Sequence, residues 1–258
     1  MIFLKRKIKK FKSIFFFNNT LIVFLLFTCS FSQTINTEIH LLENQKRPFW
    51  ISSNNHAIYS KGSIVNFNIS ENFNLFSYGS EIIFPLNQNE QAIFNQAFIR
   101  LNNDNLFFQI GKKSNLPRFS YLSSGSLIES TNAMPIPKIL LGNIDFNRIS
   151  IFDFNFQYLI KISHGWIKSL EYIKNPYLHE KSLKLKKEIT KNSLMYLGFS
   201  HMAIWGGETI QHGKQPSKLS DLLRIVFALP GSKSSISQEQ KNSLGNHLGV
   251  WNLSFEMK

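Results

Sequence analysis

Cysteine is almost missing from this chain: Cys29 is the only one among 258 residues. It lies within an N-terminal segment that reads as an export leader. The chain left after leader removal therefore has no disulfide, no thiol nucleophile and no cysteine metal site. Acidic residues are also few, 16 against 29 Lys and Arg. Past the leader, the basic residues nevertheless form no block or recognition motif of the kind nucleic-acid binders carry, which excludes that class of partner. Past the leader, no run approaches the roughly 18 apolar residues of a membrane helix. No internal repeat is evident, and no stretch makes a convincing helix.

The leader itself is explicit. Lys5, Arg6, Lys7, Lys9, Lys10 and Lys12 make a basic n-region, Thr20 to Phe27 an apolar h-region, and Ser30-Phe31-Ser32 places small residues where a signal peptidase cuts. Residues 1–32 are read as a signal peptide cleaved after Ser32, and 33–258 as the exported part. Phe27 and Thr28 are poor matches to the small residues that precede a lipidated cysteine, so a lipid anchor on Cys29 is the lesser reading. Removing the leader leaves 23 basic and 16 acidic side chains, a net of +7. That excess suits acidic glycan or anionic lipid head groups.

What the chain has in quantity is phenylalanine, 25 residues, which recur singly at alternate positions along several segments. The stretch from Ile149 to Trp166 is the clearest instance. Phe152, Phe154, Phe156, Tyr158, Ile160 and Ile162 alternate with polar Asp153, Asn155, Gln157, Lys161 and Ser163, broken only at Ile151 and Leu159. A period of two gives a β-strand with one greasy and one wet face, and its length matches the roughly 9–11 residues that cross a bilayer at a tilt. A half-exposed strand of a soluble antiparallel sandwich alternates in the same way. The export leader favours the outer-membrane reading.

The same alternation recurs in Val65-Phe67-Ile69, in Phe73 to Phe84 with a slip near Tyr78-Gly79, and in Ala97-Ile99-Leu101. A polar turn, Asn102 to Asn105, then leads to Leu106-Phe108-Ile110 as a hairpin. Leu183-Leu185, Met195-Leu197-Phe199, Leu223-Ile225-Phe227 and Trp251-Leu253-Phe255-Met257 continue it. Gln33 to Gly62 has only weak periodicity, Lys112 to Asn147 is read as a long connection, and Pro230 to Gly245 as a Ser- and Lys-rich loop. The prolines fall between the strands. The expected class is all-β: an antiparallel transmembrane barrel of about ten strands. It is expected to be incomplete, because the sequence stops within an alternating strand at Lys258 and an open sheet edge has no place in a bilayer.

Motifs for chemistry fail one by one. Gly207 to Lys214 resembles a phosphate loop, but five residues separate Gly207 from Gly213 where four are needed, and Gln215 replaces the metal-binding hydroxyl. Ser124-Gly125-Ser126 lacks the flanks of a nucleophile elbow. His179-Glu180 has no second histidine at zinc-protease spacing. His164, His179, His201 and His247 sit near strand ends, and scattered single histidines are more often structural than metal ligands. No metal, cofactor or catalytic residue is expected.

What remains is a set of short segments at strand ends: Leu122-Ser-Ser-Gly-Ser-Leu127, Asn132-Ala-Met-Pro-Ile-Pro-Lys138, His164-Gly-Trp166, Leu178-His-Glu-Lys181, His201 to Gly207 and Gly245-Asn-His-Leu-Gly249. Taken in order, they resemble the capsule-assembly outer-membrane family called Wzi, in its Bacteroidetes form. The matching positions are Ser124, Gly125, Ser126, Asn132, Pro135, Pro137, His164, Gly165, Trp166, His179, Lys181, His201, Trp205, Gly206, Gly207, Asn246 and His247. Met134 departs from the pattern, standing where a basic residue is expected, and the remaining strands are lacking. The resemblance implies a non-enzymatic outer-membrane barrel that binds capsular or exported polysaccharide and helps retain it at the cell surface. The alternative is a porin-like channel with a basic lumen.

Two sets of residues are candidates for holding polymer. Trp205-Gly206-Gly207, with His201 and Trp166, offers an aromatic ring for stacking on a sugar and glycines for close approach. The competing reading puts Trp166 and Trp205 in the aromatic belt of a bilayer interface. Lys161, Lys184 and Lys186 fall on the wet phase of their strands, where a barrel would aim them into its lumen toward carboxylates. Lumen charges balanced by Asp153 are the plainer account of those lysines.

Overall fold

The computed structural model describes residues 34–41, 62–86, 91–114, 127–130, 133–151, 154–233, 235 and 237–257. The leader with Cys29, and Ser124, Gly125, Ser126, Asn132, Phe152, Asp153 and Lys258, lie outside the described residues. The strands are β1 (Thr34–His40), β2 (Ile64–Asn72), β3 (Phe76–Pro85), β4 (Ile93–Asn103), β5 (Leu106–Lys112), β6 (Pro137–Asn143), β7 (Asn147–Ile151), β8 (Phe154–Trp166), β9 (Ile173–Lys174), β10 (Tyr177–Thr190), β11 (Ser193–Trp205), β12 (Glu208–Thr209), β13 (Gly213–Lys214) and β14 (Asn246–Met257). Two short helices, α1 (Leu219–Val226) and α2 (Gln238–Asn242), lie between β13 and β14. The fold is all-β and antiparallel. No helix among the described residues is long and apolar enough to cross a membrane, which says nothing of strands.

Eleven strands form one sheet in the order β1-β2-β3-β4-β5-β6-β8-β10-β11-β14, with β7 paired to the lower part of β8; a small sheet joins β13, β12 and β9. In this structure the large sheet is open, with β1 and β14 as its edges.

Following cross-strand partners separates the two faces. Leu101, Phe108, Leu141 and Ile162 make one row. Ile160, Leu183, Phe199 and Trp251 make another, and Tyr158, Leu185, Leu197 and Leu253 a third. At the far end, Phe94, Ile82 and Phe67 continue the same face. This face is apolar and bare: Ile99 is 61% exposed, Trp251 70% and Phe255 66%. The other face hides polar groups, among them Asn95, Gln109, Lys138 and Ser163. A water-soluble sheet does the reverse, covering its apolar face and wetting its polar one.

Five sequence expectations change. The strand read from Ile149 through Trp166 is a hairpin of β7 and β8, paired from Asn147↔Tyr158 to Ile151↔Phe154, so the break at Ile151 marks the turn. The long connection contains β6, which begins at Pro137, where a missing N–H is tolerated. Leu223 and Ile225 belong to α1, and Phe227 is its C-cap, so this segment is not a strand: Asp221 accepts a hydrogen bond from the Lys218 N–H at 2.9 Å and fixes the first turn. The slip near Gly79 lies further on, between Glu81 and Ile82, where β4 carries the extra residue Asn95. Thr34–His40, within a segment of weak periodicity, is also a strand.

Asn105 closes the one large irregularity. Between Gly142↔Lys161 and Asn147↔Tyr158 the β6–β7 side advances five residues while β8 advances three, so the chain bows out at Ile144–Phe146. The Asn105 side chain, from the β4–β5 turn, fills that gap. Its Oδ1 accepts from the Asp145 N–H at 2.7 Å, and its amide donates to the Asp145 carbonyl at 3.0 Å and to Asn147 Oδ1 at 2.5 Å. The bonds to the Asp145 backbone are exposed, so water takes up part of the loss and Asn105→Ala is expected to cost about 1 kcal/mol. Asn103→Ala, at an exposed position of the same hairpin, should stay within about 0.5 kcal/mol. Denaturant midpoints in detergent check both, and equal midpoints would mean that the bulge needs no Asn105.

Candidate functional site

The polar face of β4, β5, β6, β8 and β10 is a wall built by register. Arg100, Gln109, Leu140, Ser163 and Glu180 follow one another across it. Glu180 accepts from Lys138 Nζ at 2.7 Å and from Ser163 Oγ at 2.5 Å. Glu129, arriving from residues 127–130, places Oε1 at 3.7 Å from the same ammonium. Burial first, and then the neighbouring Glu180 charge, push the Glu129 carboxyl up to about 7, against the pull of Lys138.

Beside this cluster the wall is cationic. Lys161 pairs with Ser182, and Lys184 and Lys186 follow on the same face of β10. Gly142 makes room for Lys161, since a Cβ there would stand 2.9 Å from its Cγ. The Arg100 guanidinium lies 3.8 Å above the Phe107 ring, and Lys113 Nζ lies 4.1 Å above Phe98. Aromatic faces hold these cations extended along the wall. Lys161, Lys184 and Lys186 thus stand where their strand phase put them.

The aromatic set lies on the opposite face. His164, His179, Ala203 and His247 form one cross-strand row, and Lys181, His201 and Gly249 the next. Here the otherwise apolar face turns polar, and here α1 covers it. Ile225 and Leu244 close over Ala203 and Trp205, with Tyr177 and Leu222 at the margin. Lys181 Nζ donates to the Val226 carbonyl, capping the helix C-terminus. His247 Nε2 donates to the Leu244 carbonyl at 2.6 Å, so its Nδ1 accepts from His201 Nε2 at 2.9 Å.

Trp205, read from the sequence either as a sugar platform or as part of an aromatic belt, lies covered in this structure. Trp205 is only 5% exposed, with its ring centroid 5.1 Å from Tyr177 and 5.7 Å from His164. His201 is buried as well, whereas Trp166 is 42% exposed at the same end of the sheet. Trp205, His201 and Trp166 do not share a face with the three lysines, because strand alternation sends them to opposite sides. Gly206 and Gly207 form a corner. Both have positive φ, and a Cβ on Gly207 would stand 2.6 Å from the Lys174 carbonyl oxygen. Among the family-like positions, Gly165 packs near Pro137 and Lys138, Pro135 precedes β6, and Asn246 opens β14 opposite Ile204. Among the described residues, no group of three or more His, Cys, Asp or Glu side chains is arranged to hold a metal.

Sequence reasoning missed Lys138, Glu129, Ser163, Glu180 and Arg100. Glu180 and Ser182 continue the wet phase of Lys184 and Lys186, and that signal was available. Lys138 was hidden by the unrecognised strand β6.

A family model described as capsule assembly protein Wzi matches residues 32–258. No curated protein and no solved structure is significantly similar to the chain.

Two expectations follow from this geometry. Gly207→Ala meets both an unfavourable φ and a backbone clash, and is expected to cost about 3 kcal/mol or more. Gly213→Ala, also at positive φ but with nothing within 4 Å, should cost about 1 kcal/mol. Thermal midpoints compare them, and equal losses would remove the close-approach argument. For Glu129 the folded value of about 7 exceeds the reference of 4.5. The folded state then holds the extra proton, so this stabilisation is complete below about pH 4.5 and is lost as the pH rises through 7. Melting from pH 5 to 8 should fall more steeply for the parent chain than for Glu129→Gln, and parallel curves would refute the assignment.

Proposed function

Because the chain belongs to the capsule assembly protein Wzi family, we propose that it is exported to the outer membrane and forms barrel wall there. Its cationic face then holds an acidic capsular or exported polysaccharide at the cell surface, without chemistry. The role in capsule assembly comes with the family. One observation carries the rest: a single sheet keeps an exposed apolar face against a face of hidden polar groups, the inversion that a lipid outside and a polar lumen inside require.

On this reading, Arg100, Lys161, Lys184 and Lys186 supply donors for carboxylates of the polymer. Glycines such as Gly142 keep the wall low where the long side chains lie. Lys138 serves a different purpose: with two carboxylates already beside it, it ties the 127–130 segment to the wall. An ammonium–carboxylate contact contributes about 1.5 kcal/mol, roughly tenfold in affinity, and weakens with salt.

The double variant Lys161→Gln/Lys184→Gln should release polymer from cells into the medium while total polymer stays constant. Purified protein should bind acidic polymer at least roughly tenfold more weakly than the parent. If the partition is unchanged and only anion conductance across a bilayer falls, the porin-like reading replaces retention.

A further inference from the structure

Helix α1 is apolar on two sides. Ile225 is fully buried against the sheet, and the pairing of Ile225 and Leu222 with Ala203 and Trp205 accounts for its docking. Yet Leu219, Leu223 and Phe227, at spacing i, i+4, i+8, are 78%, 58% and 66% exposed, and Leu229 beyond them is 45% exposed. They form one stripe along the helix and its exit. The stripe takes no part in holding the helix to the sheet.

Its location says what covers it. Lys181 reaches the α1 C-terminus, and the next residue of that face along β10 is Leu183, in the row Ile160, Leu183, Phe199 and Trp251. The bare stripe therefore begins one cross-strand row from the bare apolar face, on the same side of the sheet. Lys218 and Arg224 border it, and Trp166 is half-exposed at the same end. Basic residues beside a short aliphatic stripe suit the boundary between acyl chains and head groups.

We propose that α1 and the turn after it are an interfacial lipid-binding ridge, which seats this end of the sheet at the membrane surface with Leu219, Leu223, Phe227 and Leu229 in the acyl–headgroup boundary. This rests on the reading of the apolar sheet face as lipid-facing. It adds a second, shallower contact on the covered end of β8, β10, β11 and β14. The ridge also explains why polar His179, Lys181 and His201 can occupy the outward face: α1 separates them from lipid.

Cys29 is the only native cysteine, so single-cysteine variants in a Cys29→Ser chain report cleanly. Bimane is placed at Leu223→Cys on the ridge, Leu253→Cys on the sheet face and exposed Lys214→Cys as a water reference. The full chain is reconstituted in phosphatidylethanolamine/phosphatidylglycerol vesicles carrying 5-doxyl or 12-doxyl lipid, with iodide as the aqueous quencher. The expected result is loss of Leu253 fluorescence mainly to the 12-doxyl probe and of Leu223 fluorescence mainly to the 5-doxyl probe. If Leu253 is quenched by lipid while Leu223 behaves like Lys214, the ridge fails and the lipid-facing sheet stands. A Leu223 label shielded from both lipid and iodide would mean that protein, a second copy included, covers the stripe, and would also overturn the ridge. If Leu253 is not quenched by lipid, the membrane reading falls and the ridge with it.

Discussion

Everything in this structure depends on keeping two unlike faces apart across a long antiparallel sheet. Successive side chains point to opposite sides, so one inserted residue exchanges every later contact between the faces. The irregularities show how the chain copes. At Glu81 the extra residue Asn95 lets two consecutive side chains, Asn95 and Gln96, reach the same carboxylate, each at 2.7 Å. Asn66 reaches it from the neighbouring strand at 3.0 Å. The phase changes there, and the apolar positions of β4 change with it, from Phe94 to Ala97, Ile99 and Leu101. At Ile144–Phe146 the surplus is two residues, the phase is kept, and Asn105 has only to satisfy the freed backbone.

The second constraint is local to one end. The rows of the apolar face change from Leu183 and Phe199 to Lys181, His201, His179 and His164 within two residue pairs. Polar groups there need partners or a cover. The segment between β11 and β14 supplies both: apolar contact through Ile225 and Leu244, and carbonyls for Lys181 and His247. The Gly206-Gly207 corner turns the chain out of β11 close against Lys174 and Tyr177, which lets this cover begin directly after Trp205.

Legibility in the sequence follows from how local each signal is. β8, β10, β11 and β14 alternate over many residues and could be read directly, together with the side on which Lys161, Lys184 and Lys186 stand. β6 could not, because Leu140 and Leu141 are consecutive and both apolar while facing opposite sides. In α1 the residues Leu223, Ile225 and Phe227 fit a period of two, while Leu219, Leu222 and Leu223 fit a helix; a segment this short does not decide between them. The partner relation of Asp221 with Lys218 does decide, and it is visible only as a spacing of three residues. The burial of Trp205 was hidden from the sequence for a different reason. What buries it, Ile225 and Leu244, lies far along the chain, and no strand pattern around Trp205 reports that contact.

The placement of the family-like positions then changes what they mean. His164, His179, Lys181, His201, Trp205, Gly206, Gly207 and His247 gather at the covered end of the sheet, against the α1 layer, the corner or a neighbouring strand. They describe an architecture: a helix fastened over the polar end of an otherwise apolar face. Groups suited to an acidic chain lie on the other face, at Arg100, Lys161, Lys184 and Lys186, among side chains that no short motif identifies. A polar wall of this kind can exchange individual residues, provided the wet phase is kept. A corner packed against a carbonyl oxygen has no such freedom. In this fold, the segments most easily recognised in sequence report how the wall is built, whereas its lysines and arginine follow only the phase of their strands.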